Sequence, residues 1–155
     1  MRRRLDRKHP ANRLVLRSLG RGRSMRRAIR PPDSVRDPYM NCGSHPDVVE
    51  HVWRVLARKL PAESRCLLFG TPALVDPRSG VVLSVCYGTE YCVRLPNGAL
   101  PAALRRGARV STTWTVGATT NIQKQFGSDW IFGHWLPEEV KWCEESCQQF
   151  REATE

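Results

Sequence analysis

The stretch "RCLLFGTPALVDPRSGVVLSVCYG", residues 65–88, decides the fold class. It divides into apolar runs at 66–69, 73–75 and 81–87, each of strand length and each bounded by turn residues. Between the second and third runs, Asp76, Pro77 and Gly80 have the chemistry of a tight connection: Pro presets φ at the second position of a type I turn, and Gly accepts positive φ. The segment therefore predicts a hairpin with a five-residue loop at 76–80. Gly88-Thr89 is either a two-residue reversal of type II′ or a bulge in one long strand, and "EYCVRLP" at 90–96 continues the sheet either way.

Upstream, "SHPDVVEHVWRVLARKLP" at 44–61 puts Ser44 and Asp47 at capping-box spacing, Pro46 in the first turn where its missing N–H costs nothing, and Pro61 at the stop. Val49, Val52, Trp53, Leu56 and Leu60 fall on one face of an amphipathic helix, which leaves Glu50, His51, Arg54 and Arg58 toward solvent or the flank. Downstream, "GALPAALRRG" predicts a short helix ended by Gly107, and "ARVSTTWTVGATTNI" a β-rich run folding back at Gly117-Ala118. Tight turns between strands, with helices gathered at the ends, predict a single small α+β domain over 41–155. Its sheet is mostly antiparallel and packed on one face by N- and C-terminal helices, unlike a doubly wound α/β fold.

"SDWIFGHWLPEEVKWCEESC" at 128–147 holds three tryptophans, a histidine and a cysteine pair four apart, and must be weighed as a site or as core. Leu136, Val140, Cys143, Cys147 and Phe150 step by four and three, the stripe of a helix docked on the sheet. Both cysteines are then buried, with thiols made less acidic by apolar surroundings. Glu138 and Glu139 complement the dipole of the first turn, while Trp130, Ile131, Phe132, Trp135 and Leu136 fill the core beneath. Zinc is the sharper alternative, through Cys143 and Cys147 with His134, or through Cys42-x2-His45. Structural zinc, however, wants two close ligand pairs at turns rather than helical cysteines in an apolar stripe.

Cys86-x5-Cys92 would be a redox pair if a hairpin at Gly88-Thr89 brought the two thiols together, but no neighbouring His or Lys activates either. Phosphate loops, nucleophile elbows and zincin helices are absent from the sequence. His134, Asp129, Glu90 and Ser84, or a pocket lined by the threonine run, make only a list of reactive types. No catalytic residue, cofactor or metal is assigned, and the sequence leans away from an enzyme without deciding the matter.

The net charge of +10 is concentrated at one end: residues 1–37 hold thirteen of the 25 Lys+Arg and three of the 15 Asp+Glu, and the remainder is balanced. Such like-charge text with few large apolar residues predicts a disordered tail over 1–40, with Asn12 to Leu19 able to make a helical turn on a partner. A tail of this kind associates with nucleic acid or another polyanion by counterion release, here through Arg2, Arg3, Arg4, Arg7, Arg13, Arg17, Arg21, Arg23, Arg26, Arg27 and Arg30. Met25 and Met40 are alternative initiators, in which case the upstream residues are not protein at all.

No apolar run reaches membrane-spanning length, and no secretory h-region follows the charged start. A cytoplasmic location with six reduced cysteines is therefore expected. The leading functional expectation is a protein-interaction module with an unknown protein partner. Nucleic-acid association through the arginine tail is the alternative, and a small thiol or zinc-dependent protein the third.

Overall fold

The computed structural model describes residues 5–21, 28–31 and 44–154. Among these, six strands form one antiparallel sheet in the order β1 (Ile29–Arg30), β2 (Arg65–Leu68), β3 (Thr71–Val75), β4 (Val82–Tyr87), β5 (Glu90–Arg94) and β8 (Trp130–Phe132). A separate ribbon, β6 (Ser111–Thr113) and β7 (Thr119–Asn121), lies between β5 and β8 in the chain. The helices are α1 (Arg13–Leu19), α2 (Pro46–Glu50), α3 (Leu100–Arg105), α4 (Ile122–Phe126) and α5 (Glu138–Thr154). The α+β class and the antiparallel sheet expected from the turn chemistry are both present.

The loop at 76–80 closes as its residues require. The Asp76 carboxylate accepts from the backbone N–H of Arg78 at 3.3 Å and of Ser79 at 3.0 Å, and Gly80 takes φ 76°. Gly88-Thr89 is a reversal rather than a bulge, since Tyr87 pairs with Glu90 and Gly88 supplies the positive φ that a Gly-X turn needs.

The helix from residue 46 differs from expectation at both ends. His45 is its cap, with Nδ1 accepting from the Asp47 N–H at 3.1 Å, in place of Ser44. Beyond Glu50 the backbone widens into a π-helix, His51–Leu56. Buried pairs recur at 48/49, 52/53 and 56/57, a period of four that a 3.6-residue α-turn would rotate off the sheet and a wider turn keeps facing it.

The expectation of a sheet covered on one face is corrected, because both faces are covered. On one side Val49, Val52, Leu56, Cys143 and Cys147, from the 46–56 helix and α5, pack on Leu67, Leu74, Leu83 and Val93. On the other, Val15, Leu16, Ile122 and Phe126, from α1 and α4, pack on Leu68, Val75, Val85 and Phe132.

The reading of 1–40 as structureless is corrected for 5–21 and 28–31. Burying Val15 and Leu16 contributes about 1.5–3 kcal/mol each, and Asn12, fully buried, locks the segment in place. Its Nδ2 donates to the carbonyls of Asp6 and Gly80, both at 2.8 Å, while its Oδ1 accepts from the Val82 N–H at 2.9 Å. Gly80 is required there, since a Cβ would lie 2.5 Å from the Asp6 nitrogen. The predicted turn over Asn12 to Leu19 does form, with the sheet of its own chain as partner.

Asp76 also fastens α5. Arg151 grips its carboxylate with Nε at 3.1 Å from both oxygens and Nη2 at 2.6 Å from Oδ1. Burial alone would raise the Asp76 pKa, but hydrogen bonds from Arg151, Ser79 and Arg78 outweigh it and hold the group below the ordinary carboxylate range.

Two predictions follow from these contacts. Asn12→Ala leaves the buried Val82 N–H unpaired and takes one of two donors from each of the Asp6 and Gly80 carbonyls, so urea unfolding should show a loss of about 2–3 kcal/mol; an unchanged midpoint would contradict the lock. Because the folded Asp76 pKa is depressed, its stabilisation is present above the unfolded value of about 4 and is lost as pH falls through the folded one. Asp76→Asn should therefore destabilise the protein at pH 7 by about 3 kcal/mol and flatten the acid limb of the stability–pH curve, as seen by thermal melts across pH.

Candidate functional site

Two surface features stand out, one on each side of the sheet. The first is built by the turn from β8 into α5. The Gly133 N–H donates to the Tyr91 carbonyl at 2.7 Å, so close to β5 that a Cβ on Gly133 would sit 1.9 Å from the Tyr91 ring. The chain then passes through Trp135 at φ 57°, a conformation costly for a bulky residue.

A buried polar set holds that conformation. The Trp135 N–H donates to the Tyr91 hydroxyl at 2.7 Å, the Tyr91 hydroxyl donates to Glu139 Oε1, and the His134 N–H donates to Glu139 Oε2 at 2.7 Å. Both Tyr91 and Glu139 are closed off from solvent. Burial raises the Glu139 pKa despite the hydrogen bonds from Tyr91 and His134, and burial together with the Glu139 charge pushes the Tyr91 hydroxyl far above its usual range. Tyr91 is therefore a neutral donor and acceptor, not an activated nucleophile.

Trp135, placed in the core by its spacing, is instead 53% exposed. Its ring packs at a tilt of 40° on His51, 4.0 Å between centroids, and meets Tyr91 edge-on at 5.8 Å. Together with Asp47, Glu50, Arg54 and Val55, these two rings line a groove of about 460 Å³. His51 sits at the start of the π-helix, a distortion frequently found at functional sites. Burial lowers its pKa, so the ring is neutral at pH 7. Arg54 pairs with Glu50 at 3.4 Å.

The second feature lies beside α1. Of the eleven arginines expected to meet a polyanion, Arg7, Arg13 and Arg17 come together with Lys8 around a groove of about 640 Å³. Arg21 lies exposed just beyond the helix and Arg30 exposed on β1. Arg2, Arg3, Arg4, Arg23, Arg26 and Arg27 lie outside the described residues, as does Cys42.

The remaining candidates resolve into structure. Cys143 and Cys147 are buried on the sheet side of α5, and burial pushes the Cys147 thiol to about 12 and that of Cys143 higher. The hairpin at Gly88-Thr89 forms, yet Cys86 faces Tyr91 while Cys92 faces Val85, so the register puts the two thiols on opposite faces of the sheet. Ser84 donates to the Cys92 carbonyl, Asp129 pairs with Arg94, and Glu90 pairs with Arg109, so that set does not converge. Among the described residues, no group of three or more His, Cys, Asp or Glu is placed to hold a metal. Within the threonine run, Thr113 and Thr119 bond each other across the ribbon at 3.2 Å.

Tyr91→Phe removes both the acceptor for the Trp135 N–H and the donor to Glu139. It should cost about 1–3 kcal/mol in urea unfolding and speed hydrogen exchange at the Trp135 amide. Unaltered exchange there would show that the turn holds itself.

No protein-family model, curated protein or solved structure matches this chain.

Proposed function

We propose that the chain is a non-enzymatic protein-binding module anchored by Trp135. The observation that carries this reading is an exposed indole in an unfavourable backbone conformation, kept there by a buried Tyr91–Glu139 pair. A positive φ on such a residue costs on the order of 1–3 kcal/mol, and strain of this kind persists where the surroundings over-determine it, typically at binding sites. Exposing half of a tryptophan gains the folded chain nothing.

Tryptophan is enriched among the residues that dominate interface energetics, and an anchor fixed before contact avoids the entropy cost of ordering. The composition around it fits an interface. Val55, 40% exposed, and the neutral His51 ring extend the apolar centre, while Asp47, Glu50 and Arg54 form a charged rim. Acid–base chemistry finds little to work with there, since Tyr91 and Glu139 are shut away and His51 packs between the tilted rings of Tyr91 and Trp135.

No helix of the described residues is long and apolar enough to cross a membrane. Cys92, Cys143 and Cys147 are free thiols, which fits a reducing compartment such as the cytoplasm.

Affinity isolation with the full chain should yield a protein whose binding to purified Trp135→Ala is weaker by about 30-fold or more, the signature of an anchor worth at least about 2 kcal/mol. Thermal melts should be unchanged. Equal affinity for both forms would remove Trp135 from the interface.

A further inference from the structure

We infer that the groove beside α1 grips the phosphodiester backbone of double-stranded nucleic acid through Arg7, Lys8, Arg13 and Arg17. These four cations share one groove, and among the described residues no carboxylate lines it. Their side chains are exposed and, among the described residues, have no ion-pair partner. Like charges gathered without counter-ions repel one another, which a polyanion relieves by releasing its own counterions.

The geometry is fixed. Asn12 binds the segment to the β3–β4 loop, the Ser18 hydroxyl donates to the Gln125 carbonyl at 2.8 Å, and Arg94 donates to the Ala11 carbonyl at 2.8 Å. Arg13 and Arg17 stand one helical turn apart, with Cβ atoms about 5–6 Å from each other, so both reach the same short stretch of backbone. The cations are therefore held against the folded domain and are not a trailing arm.

Two features narrow the ligand. An acidic protein would need an apolar anchor, but the exposed large apolar residues Val55, Leu104, Val116 and Trp135 all lie outside this groove. A single strand would need aromatic faces for its bases, and among the described residues the groove is lined by one aromatic ring, His9, already edge-on to Phe150 at 5.8 Å. What remains is charge-to-phosphate contact, which positions a duplex without reading its sequence.

The test is fluorescence anisotropy of the full chain on a generic DNA duplex of about 20 base pairs, from about 50 to 200 mM salt. Four phosphate contacts predict a slope of log K on log salt of at least about −3.6 in magnitude. Arg13→Gln/Arg17→Gln should reduce that magnitude by about 1.8 and weaken low-salt binding at least tenfold, while Arg13→Lys/Arg17→Lys should retain the slope. Both positions are exposed, so melts should not move. Trp135→Ala should bind the duplex as the parent does, which keeps this result separate from the protein-binding reading. An unchanged slope in the Gln variant, a loss confined to Arg2→Gln/Arg3→Gln/Arg4→Gln, or polyglutamate competing as well as unlabelled duplex would each overturn the inference.

Discussion

The side chain of Asn12 ties the N-terminal helix to the β3–β4 loop, and one whole face of the sheet is closed through that tie. Its amide supplies both donors and its carbonyl accepts from Val82, so every hydrogen bond it makes lies inside the protein. Without it α1 has seven residues and a marginal tendency to be helical at all. With it, Val15 and Leu16 cover strands that would otherwise expose Leu68, Val75 and Val85 to water. The same loop is held from the opposite direction by Arg151 of α5, which grips Asp76. The short β3–β4 loop is thus where both covering layers are pinned to the sheet.

On the α5 side, the polar chemistry has a different purpose. Tyr91 and Glu139 are costly groups to bury, and their bonds to Trp135 and His134 fix the path of a short turn. The outcome is an aromatic ring held outside the core above a π-helical segment that begins at His51. Opposite it lies a groove whose described lining holds four cations and no exposed large apolar residue. Rigid apolar anchor and fixed cationic groove are separate devices, supported by separate parts of the fold.

Local chemistry made the hairpin at 76–80 and the buried stripe of α5 legible in the sequence, whereas Gly88-Thr89 stayed open between reversal and bulge until the pairing of Tyr87 with Glu90 decided it. The two-sided burial was legible too, though in a weaker signal: runs such as Cys66 to Phe69 and Val81 to Val85 do not alternate, and strands covered on both faces read as continuous apolar text. The turn over Asn12 to Leu19 was legible, but arginine density concealed that its partner is the sheet of the same chain, because average charge over forty residues says nothing about which of them make contact. Trp135 could not be placed by periodicity, since its outward direction comes from a positive φ enforced by residues distant in the chain. Glu139 looked like a dipole partner and is a buried acceptor instead. Cys86 and Cys92 illustrate how a single residue of register exchanges the faces of a sheet.

Native-state hydrogen exchange on the full chain, comparing amides of α1 and Val82 with those of the central strands, decides whether the N-terminal segment folds as part of the sheet. If the N-terminal segment is one cooperative unit with the sheet, the Gly20 N–H, bonded to the Leu16 carbonyl at 2.8 Å, and the Val82 N–H should be protected nearly as strongly as amides paired between β4 and β5. Exchange of the α1 amides at unprotected rates, while the sheet stays protected, would contradict it.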